Sequence, residues 1–160
     1  MPPPKTKNPP IVCKYLYYRD RTASGDLILV KIPSVTVSIR SEHAFYKSFA
    51  LVDSGSYTTF LQKEDNDLLR LKNAKDRTGK DITGHASGAG GRFECDVKIV
   101  PELSIMDNKE KAFHVYRGLQ VFVPKDYGHI PYTILGRDTV FRHYHITFRE
   151  GEKTIAFQKA

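Results

Sequence analysis

The sequence predicts a mainly β domain with one or two short helices. Short apolar or alternating runs recur along the chain, turn residues separate them, and helical patterns are few and short. Leu27–Ile32 and residues 35–40 are rich in β-branched and aliphatic side chains, and Pro33-Ser34 breaks them apart. Phe45–Val52 ends in Phe49-Ala50-Leu51-Val52, the near-continuous apolar run of a buried strand. Residues 63–72 are the candidate for a helix, because Leu68, Leu69 and Leu71 follow a charged start. Residues 92–103 and 112–123 alternate again as strands, with Val115, Leu119, Val121 and Val123 supplying much of the second pattern. Residues 144–148 and 154–157 flank Glu150-Gly151-Glu152, a hairpin turn.

A length of 160 residues suits one domain with a usable core. Residues 1–10 contain five prolines and little that is apolar, which predicts an extended arm, so residues 11–160 form the domain. Hydrophobic residues are 40% of the chain and charged residues 27%, ordinary values for a globular protein in water. No apolar run approaches the roughly 18 residues that span a bilayer, and the proline-rich start has no apolar core for a signal peptide. A cytoplasmic protein without a membrane partner is expected. Cys13 and Cys95, the only cysteines, make neither a disulfide framework nor a closed zinc site, and read as reduced bystanders. The net charge is +7, but the 25 Lys and Arg are spread along the chain without a run of five or six. Nucleic acid is therefore not the expected partner.

The sharpest local feature is Ala50-Leu51-Val52-Asp53-Ser54-Gly55-Ser56. An acid directly follows a buried strand, and a small turn follows the acid. An ionised carboxylate there needs partners. Gly55 lets the backbone bend so that amide N–H groups point at the carboxylate, and Ser54 and Ser56 add hydroxyls. Asp-Ser-Gly is also ordinary turn chemistry. A second segment, Tyr132-Thr133-Ile134-Leu135-Gly136-Arg137-Asp138, is another apolar strand ending in glycine. The amphipathic stretch 137–143 follows it, with Val140 and Phe141 able to face a core.

Together these segments resemble the retropepsin-type aspartic peptidases. Residues 51–56 are similar to that family's apolar-apolar-Asp-Ser/Thr-Gly-Ala/Ser motif. Residues 134–138 (Leu135, Gly136, Arg137 and Asp138 within them) are similar to its apolar-apolar-Gly-Arg-Asp/Asn motif. Leu135-Gly136-Arg137-Asp138, continuing through Tyr144-His145-Ile146-Thr147-Phe148, and the trailing Thr58-Thr59 look closest to the stand-alone prokaryotic members. The likeness is specific over residues 49–60 and 132–157. Between them lies a glycine-rich stretch, Ile82-Thr83-Gly84-His85-Ala86-Ser87-Gly88-Ala89-Gly90-Gly91. In the resembled family a glycine-rich hairpin, the flap, folds over bound peptide, and Thr83 to Gly90 would supply it. A phosphate loop is the rival reading, but no Gly-Lys-Ser/Thr follows the glycines. A plain mobile loop is the other.

The resemblance implies a closed β-barrel subunit and an endopeptidase that uses two carboxylates and an activated water, with no cofactor. Like charges about 3 Å apart share one proton, so one acid acts as base while the other polarises the scissile carbonyl. The chain has a single Asp-Ser/Thr-Gly, since Asp81-Ile82-Thr83-Gly84 has the wrong spacing and Asp138-Thr139-Val140 lacks the glycine. A homodimer would bring Asp53 to its symmetry mate, Ser54 would brace the partner, and the strand at 154–157 would join the interface. An extended peptide or protein substrate would lie across the cleft as an added strand. Two departures stand out. Retroviral members carry an acid four residues after the catalytic one, where this chain has Tyr57, which leaves the partner of Arg137 open. Ser56 replaces the commoner alanine, and its hydroxyl could stabilise an ionised carboxylate.

His143 and His145, two apart, would face one side of a strand, but no third ligand accompanies them and no metal site is expected. Tyr15, Tyr17 and Tyr18 beside Lys14, Arg19 and Arg21 suit either an edge strand or base stacking. Two rival functions follow: a non-catalytic module of the same fold that binds peptides or dimerises, and a basic β-barrel that binds nucleic acid.

Overall fold

The computed structural model describes residues 8–88 and 91–160. The chain is mainly β. Its elements in order are β1 (Ile11–Lys14), β2 (Leu16–Arg21), β3 (Leu27–Ile32), β4 (Ser34–Arg40), β5 (Phe45–Val52), α1 (Lys63–Leu69), β6 (Lys72–Asn73), β7 (Thr83–Gly88), β8 (Gly91–Met106), β9 (Ala112–Pro124), β10 (Thr133–Leu135), α2 (Val140–His143), β11 (Tyr144–Arg149) and β12 (Thr154–Lys159). Residues 1–7 of the expected arm, and Ala89 and Gly90 of the expected flap, lie outside the described part. Asn8, Pro9 and Pro10 are exposed.

The largest sheet has seven strands on the path β10-β5-β4-β8-β6, with β7 and β9 also paired to β8. β1-β12-β11 form a second sheet and β2-β3 a third. The ladders therefore divide into three sheets around one core. β4 is the central strand of that path, and it shows in its burial: Val35, Val37 and Ile39 are fully enclosed, and Ser34 and Ser38 are buried with them. They pack with Val100, Leu103 and Ile105 of β8, Val121 and Val123 of β9, and Ile155 and Phe157 of β12 in one core. Each such aliphatic or aromatic side chain contributes about 1.5–3 kcal/mol by leaving water.

The helix at 63–72 is shorter than its leucines suggest. Arg70 adopts a left-handed conformation (φ 50°, ψ 52°) and returns its N–H to the Asn66 carbonyl, so the chain turns before Leu71 and pairs Lys72–Asn73 with β8. Leu69 is buried, but Leu68 is exposed. α2 is a single turn whose Val140 enters the core. β1, like β6, is a strand that sequence patterning missed. It pairs antiparallel with β12, which also pairs with β11, so both edges of the last strand are taken within one chain. The tyrosine cluster is divided between elements. Tyr15 is buried and donates its hydroxyl to Glu150, Tyr18 packs on Phe49 and Tyr132, and only Tyr17 faces water. That arrangement offers no row of exposed rings for base stacking. No helix among the described residues is long and apolar enough to cross a membrane.

Candidate active site

Strands β5 and β10 run parallel and in register, with Ala50, Leu51 and Val52 opposite Thr133, Ile134 and Leu135. Parallel neighbours release their chains at the same end, so Asp53 and Gly136 emerge side by side. The Asp53 amide donates to the Leu135 carbonyl at 3.1 Å, which pins the first residue of the turn to the second motif. Asp53 is half-buried. The Gly55 amide donates to its Oδ1 at 2.8 Å, and the Ser56 amide closes the turn on the Asp53 carbonyl at 3.3 Å. This is the amide-to-carboxylate contact that Asp-Ser-Gly predicts. Ser54 is exposed beside it.

Ser56 differs from expectation. Its hydroxyl donates to the Thr58 carbonyl at 2.7 Å, so its proton is spent on bracing the loop and not on the carboxylate. The loop is clamped further by residues 136–139. Arg137 and Asp138 donate their amides to the carbonyls of Ser56 and Tyr57, at 2.8 and 2.9 Å. The Thr59 hydroxyl bonds Asp138 Oδ1 at 2.9 Å, meets the Thr139 hydroxyl at 3.0 Å and accepts the Gly136 amide at 3.2 Å. Gly136 is buried under this loop. A Cβ there would overlap the Thr58 carbonyl and come within 2.9 Å of the Ser56 oxygen. Glycine is required by close backbone approach.

The open question about Arg137 has a local answer. Its guanidinium carbon lies 5.6 Å from the ring centre of Tyr57, within cation–π range. Tyr57 thus occupies the place of the expected acid and still engages the arginine, through its ring. Among the described residues no carboxylate pairs with Arg137.

Asp53 opens onto a cleft of about 590 Å³. Leu51, Phe60, Ile134 and Tyr132 give it apolar and aromatic walls, with Ala86, Ser87 and Gly88 of β7, Phe93 of β8 and His129 completing the lining. The glycine-rich segment is a hairpin as predicted: β7 and β8 pair from Thr83↔Asp96 to Gly88↔Gly91. Gly91 has φ +97°, a conformation other residues rarely adopt. Only the outer half of β7 reaches the cleft. Gly84 lies flat against Phe122, which a Cβ would strike at 2.8 Å, and His85 opens onto a neighbouring hollow with Arg92, Glu94 and Asp126. The ring of His129 stacks on Phe93 at 4.6 Å and 13°. Tyr132 stands against Tyr18 edge-on at 5.1 Å. Burial chiefly, then the phenol of Tyr18 and the charge of Asp53, hold its own phenol above the ordinary range.

His143 and His145 do not form a pair. His145 is exposed on β11, whereas His143 ends α2 with its ring 4.6 Å from His114. Phe93, His129 and Thr139 escaped sequence reading as site residues, and Thr59 and Tyr132 were marked only as parts of motifs. What they do at the site depends on contacts between residues up to 80 apart.

No family model matches the sequence, and no curated protein matches it. Solved structures do. One is a retropepsin-like aspartic protease from Rickettsia conorii, 12% identical, aligned over 94% of this chain and 91% of that one with a TM-score of 0.47. A superposition that loose carries no argument about activity.

Proposed function

We propose that this chain is one half of a homodimeric aspartic endopeptidase with Asp53 as its catalytic carboxylate. The observation that carries the reading is the parallel β5–β10 pairing. It sets an Asp-Ser-Gly turn, locked by Gly136 and Thr59, at the wall of a cleft flanked by a glycine-rich hairpin.

The chemistry follows from what one Asp53 lacks. Peptide hydrolysis by this route needs one carboxylate to take a proton from water and one carboxylic acid to polarise the carbonyl. A second Asp53, brought close by a two-fold axis, would share a single proton with the first. The Gly55 amide holds each carboxylate in place, and the exposed Ser54 is free to reach the other subunit. An extended peptide would run along the cleft, with the Gly88 end of β7 offering backbone for an added strand. The aromatic lining from Phe60, Phe93 and Tyr132 favours apolar side chains next to the cut bond.

Digestion of unfolded protein or a peptide library over a range of pH, by wild type and Asp53→Asn, tests this. The expected result is cleavage by wild type alone, with activity highest on the acidic side of neutral, where a dyad holds one proton. Equal cleavage by both proteins, or a profile flat from acid to alkaline, would overturn it.

A further inference from the structure

A hollow of about 250 Å³ lies where α2, β9, β11 and β12 meet. It shares no residue with the Asp53 cleft, so it stands apart from the peptidase reading. Its lining is cationic. Arg142 and His143 come from α2, His114 from β9 and Lys159 from β12, with no aspartate or glutamate among them. Tyr144 stands opposite Lys159 in the β11–β12 ladder, which places both side chains on one face. Phe113 packs its ring on Tyr144 and Phe157 and gives the hollow an apolar base. Among the described residues no carboxylate forms an ion pair with Arg142, His143 or Lys159. Asp138 lies on this side, near Tyr116, but its Oδ1 accepts the Thr59 hydroxyl. A concave site lined by one sign of charge concentrates its counter-ion.

His114 sets the chemistry of that counter-ion. Tyr144 donates its one phenolic proton to the Phe113 carbonyl at 3.3 Å, so His114 Nδ1 is the donor in its 3.1 Å contact with the Tyr144 oxygen. The neutral ring then keeps a lone pair on Nε2, and protonation turns that nitrogen into a second donor. Burial, then the charges of His143 and Lys159, hold this imidazole below the ordinary range. The His143 ring lies only 4.6 Å from it. Two imidazoles so close oppose being charged together unless an anion lies against them. We propose that this hollow binds a phosphate group, free or as a monoester, between Arg142, Lys159 and the two histidines. The guanidinium matches two phosphate oxygens at once, and Lys159 adds a point charge. Tyr116 and Tyr144 also face His114, and burial chiefly holds both phenols above the ordinary range, so they stay neutral. An anion favours the charged form of His114. Binding therefore takes up a proton and strengthens as pH falls, as long as the anion keeps its own charge.

Isothermal titration calorimetry at fixed ionic strength, with inorganic phosphate, phenyl phosphate and sulfate as probes, tests the site. The proteins are wild type, Arg142→Gln with Lys159→Gln, His114→Gln, and Arg77→Gln with Lys80→Gln, which removes equal charge from exposed positions elsewhere. Circular dichroism checks each fold, and Arg142 and Lys159 are exposed, so that pair decides the matter even if His114→Gln is unstable. The expected result is saturable binding of phosphate to wild type and to the Arg77 and Lys80 variant, with Kd on the order of 1 mM or tighter. The Arg142 and Lys159 variant should bind at least tenfold more weakly. Sulfate, a dianion throughout, should bind wild type more tightly at pH 5.5 than at pH 7.5, and His114→Gln should lose most of that gain. Tighter binding of phenyl phosphate would assign the site to a phosphate carried on another molecule, and tighter binding of inorganic phosphate to the free ion. Equal binding by all four proteins would reduce it to attraction by the net charge of +7 and overturn the site. Absence of saturable binding to folded wild type would overturn it outright, and sulfate binding indifferent to pH would remove His114 from it.

Discussion

Asp53 is held by groups that come from two ends of the chain. The Gly55 amide on its Oδ1 is local, and a reader of Leu-Val-Asp-Ser-Gly finds it directly. The bond from its own amide to Leu135 is not local, and only a second motif of matching shape hints at it. Ser56 shows where residue-level reading stops. A hydroxyl next to a carboxylate suggests a bond between them, but the turn directs it to the Thr58 carbonyl instead. Tyr57 is similar: sequence identifies a missing acid, whereas the ring's contact with Arg137 depends on how two loops cross. Gly136→Ala is the sharpest test at this scale. Its methyl group would meet backbone, which cannot swing aside as a side chain can. Urea unfolding should show a loss of about 1–3 kcal/mol or more, and cleavage should fall with it because the Asp53 loop rests on this glycine. Unchanged stability would mean that the loop is not packed as described. Cys13 and Cys95 make a second residue-scale case. Both are buried and free, and burial pushes each thiol up to about 11, with help from Asp107 and Asp96 respectively. Neither should react with a thiol reagent at pH 8 until urea unfolds the chain.

Element boundaries were most legible where a run of β-branched and aliphatic residues is bounded by turn residues, whether the strand is exposed, as β3 is, or partly buried, as β5 is. Leu27–Ile32 and Phe45–Val52 emerge with the ends their composition marks. β10 was found only through the apolar run before Gly136, β6 with two residues is too short to carry a period, and β1 lies among prolines and tyrosines that resemble a loop. The helix end at Arg70 is set by a left-handed residue, which side-chain periodicity does not record. At α2 the relevant chemistry is between elements. His114 of β9 bonds the Tyr144 hydroxyl through Nδ1 at 3.1 Å. Burial, then the neighbouring charges of His143 and Lys159, hold its imidazole below the ordinary range. The unfolded chain takes up a proton near pH 6.5, where folded His114 still refuses one, so its contribution to stability is complete above that value and is lost as pH falls towards the folded value. Urea midpoints at pH 7 and pH 5 should therefore differ less for His114→Gln than for wild type. Equal differences would remove His114 from the pH response.

At the scale of the whole molecule, the mainly β class was legible, but the division into three sheets was not. Which strands pair depends on partners far apart in sequence, as where Ile11 meets Phe157. The same long-range pairing takes both edges of the strand expected to join an interface. Residues 154–157 look like an interface strand because they are apolar. They are apolar because Ile155 and Phe157 fill the core of their own subunit. The single Asp-Ser-Gly remains the strongest whole-molecule statement, since a dyad then requires two chains per site. Refolding wild type together with increasing amounts of Asp53→Asn, and measuring cleavage at fixed total protein, tests that requirement most directly. If each site needs an Asp53 from both subunits, activity follows the square of the wild-type fraction. Activity proportional to the wild-type fraction would mean that one chain suffices, and would contradict the shared site.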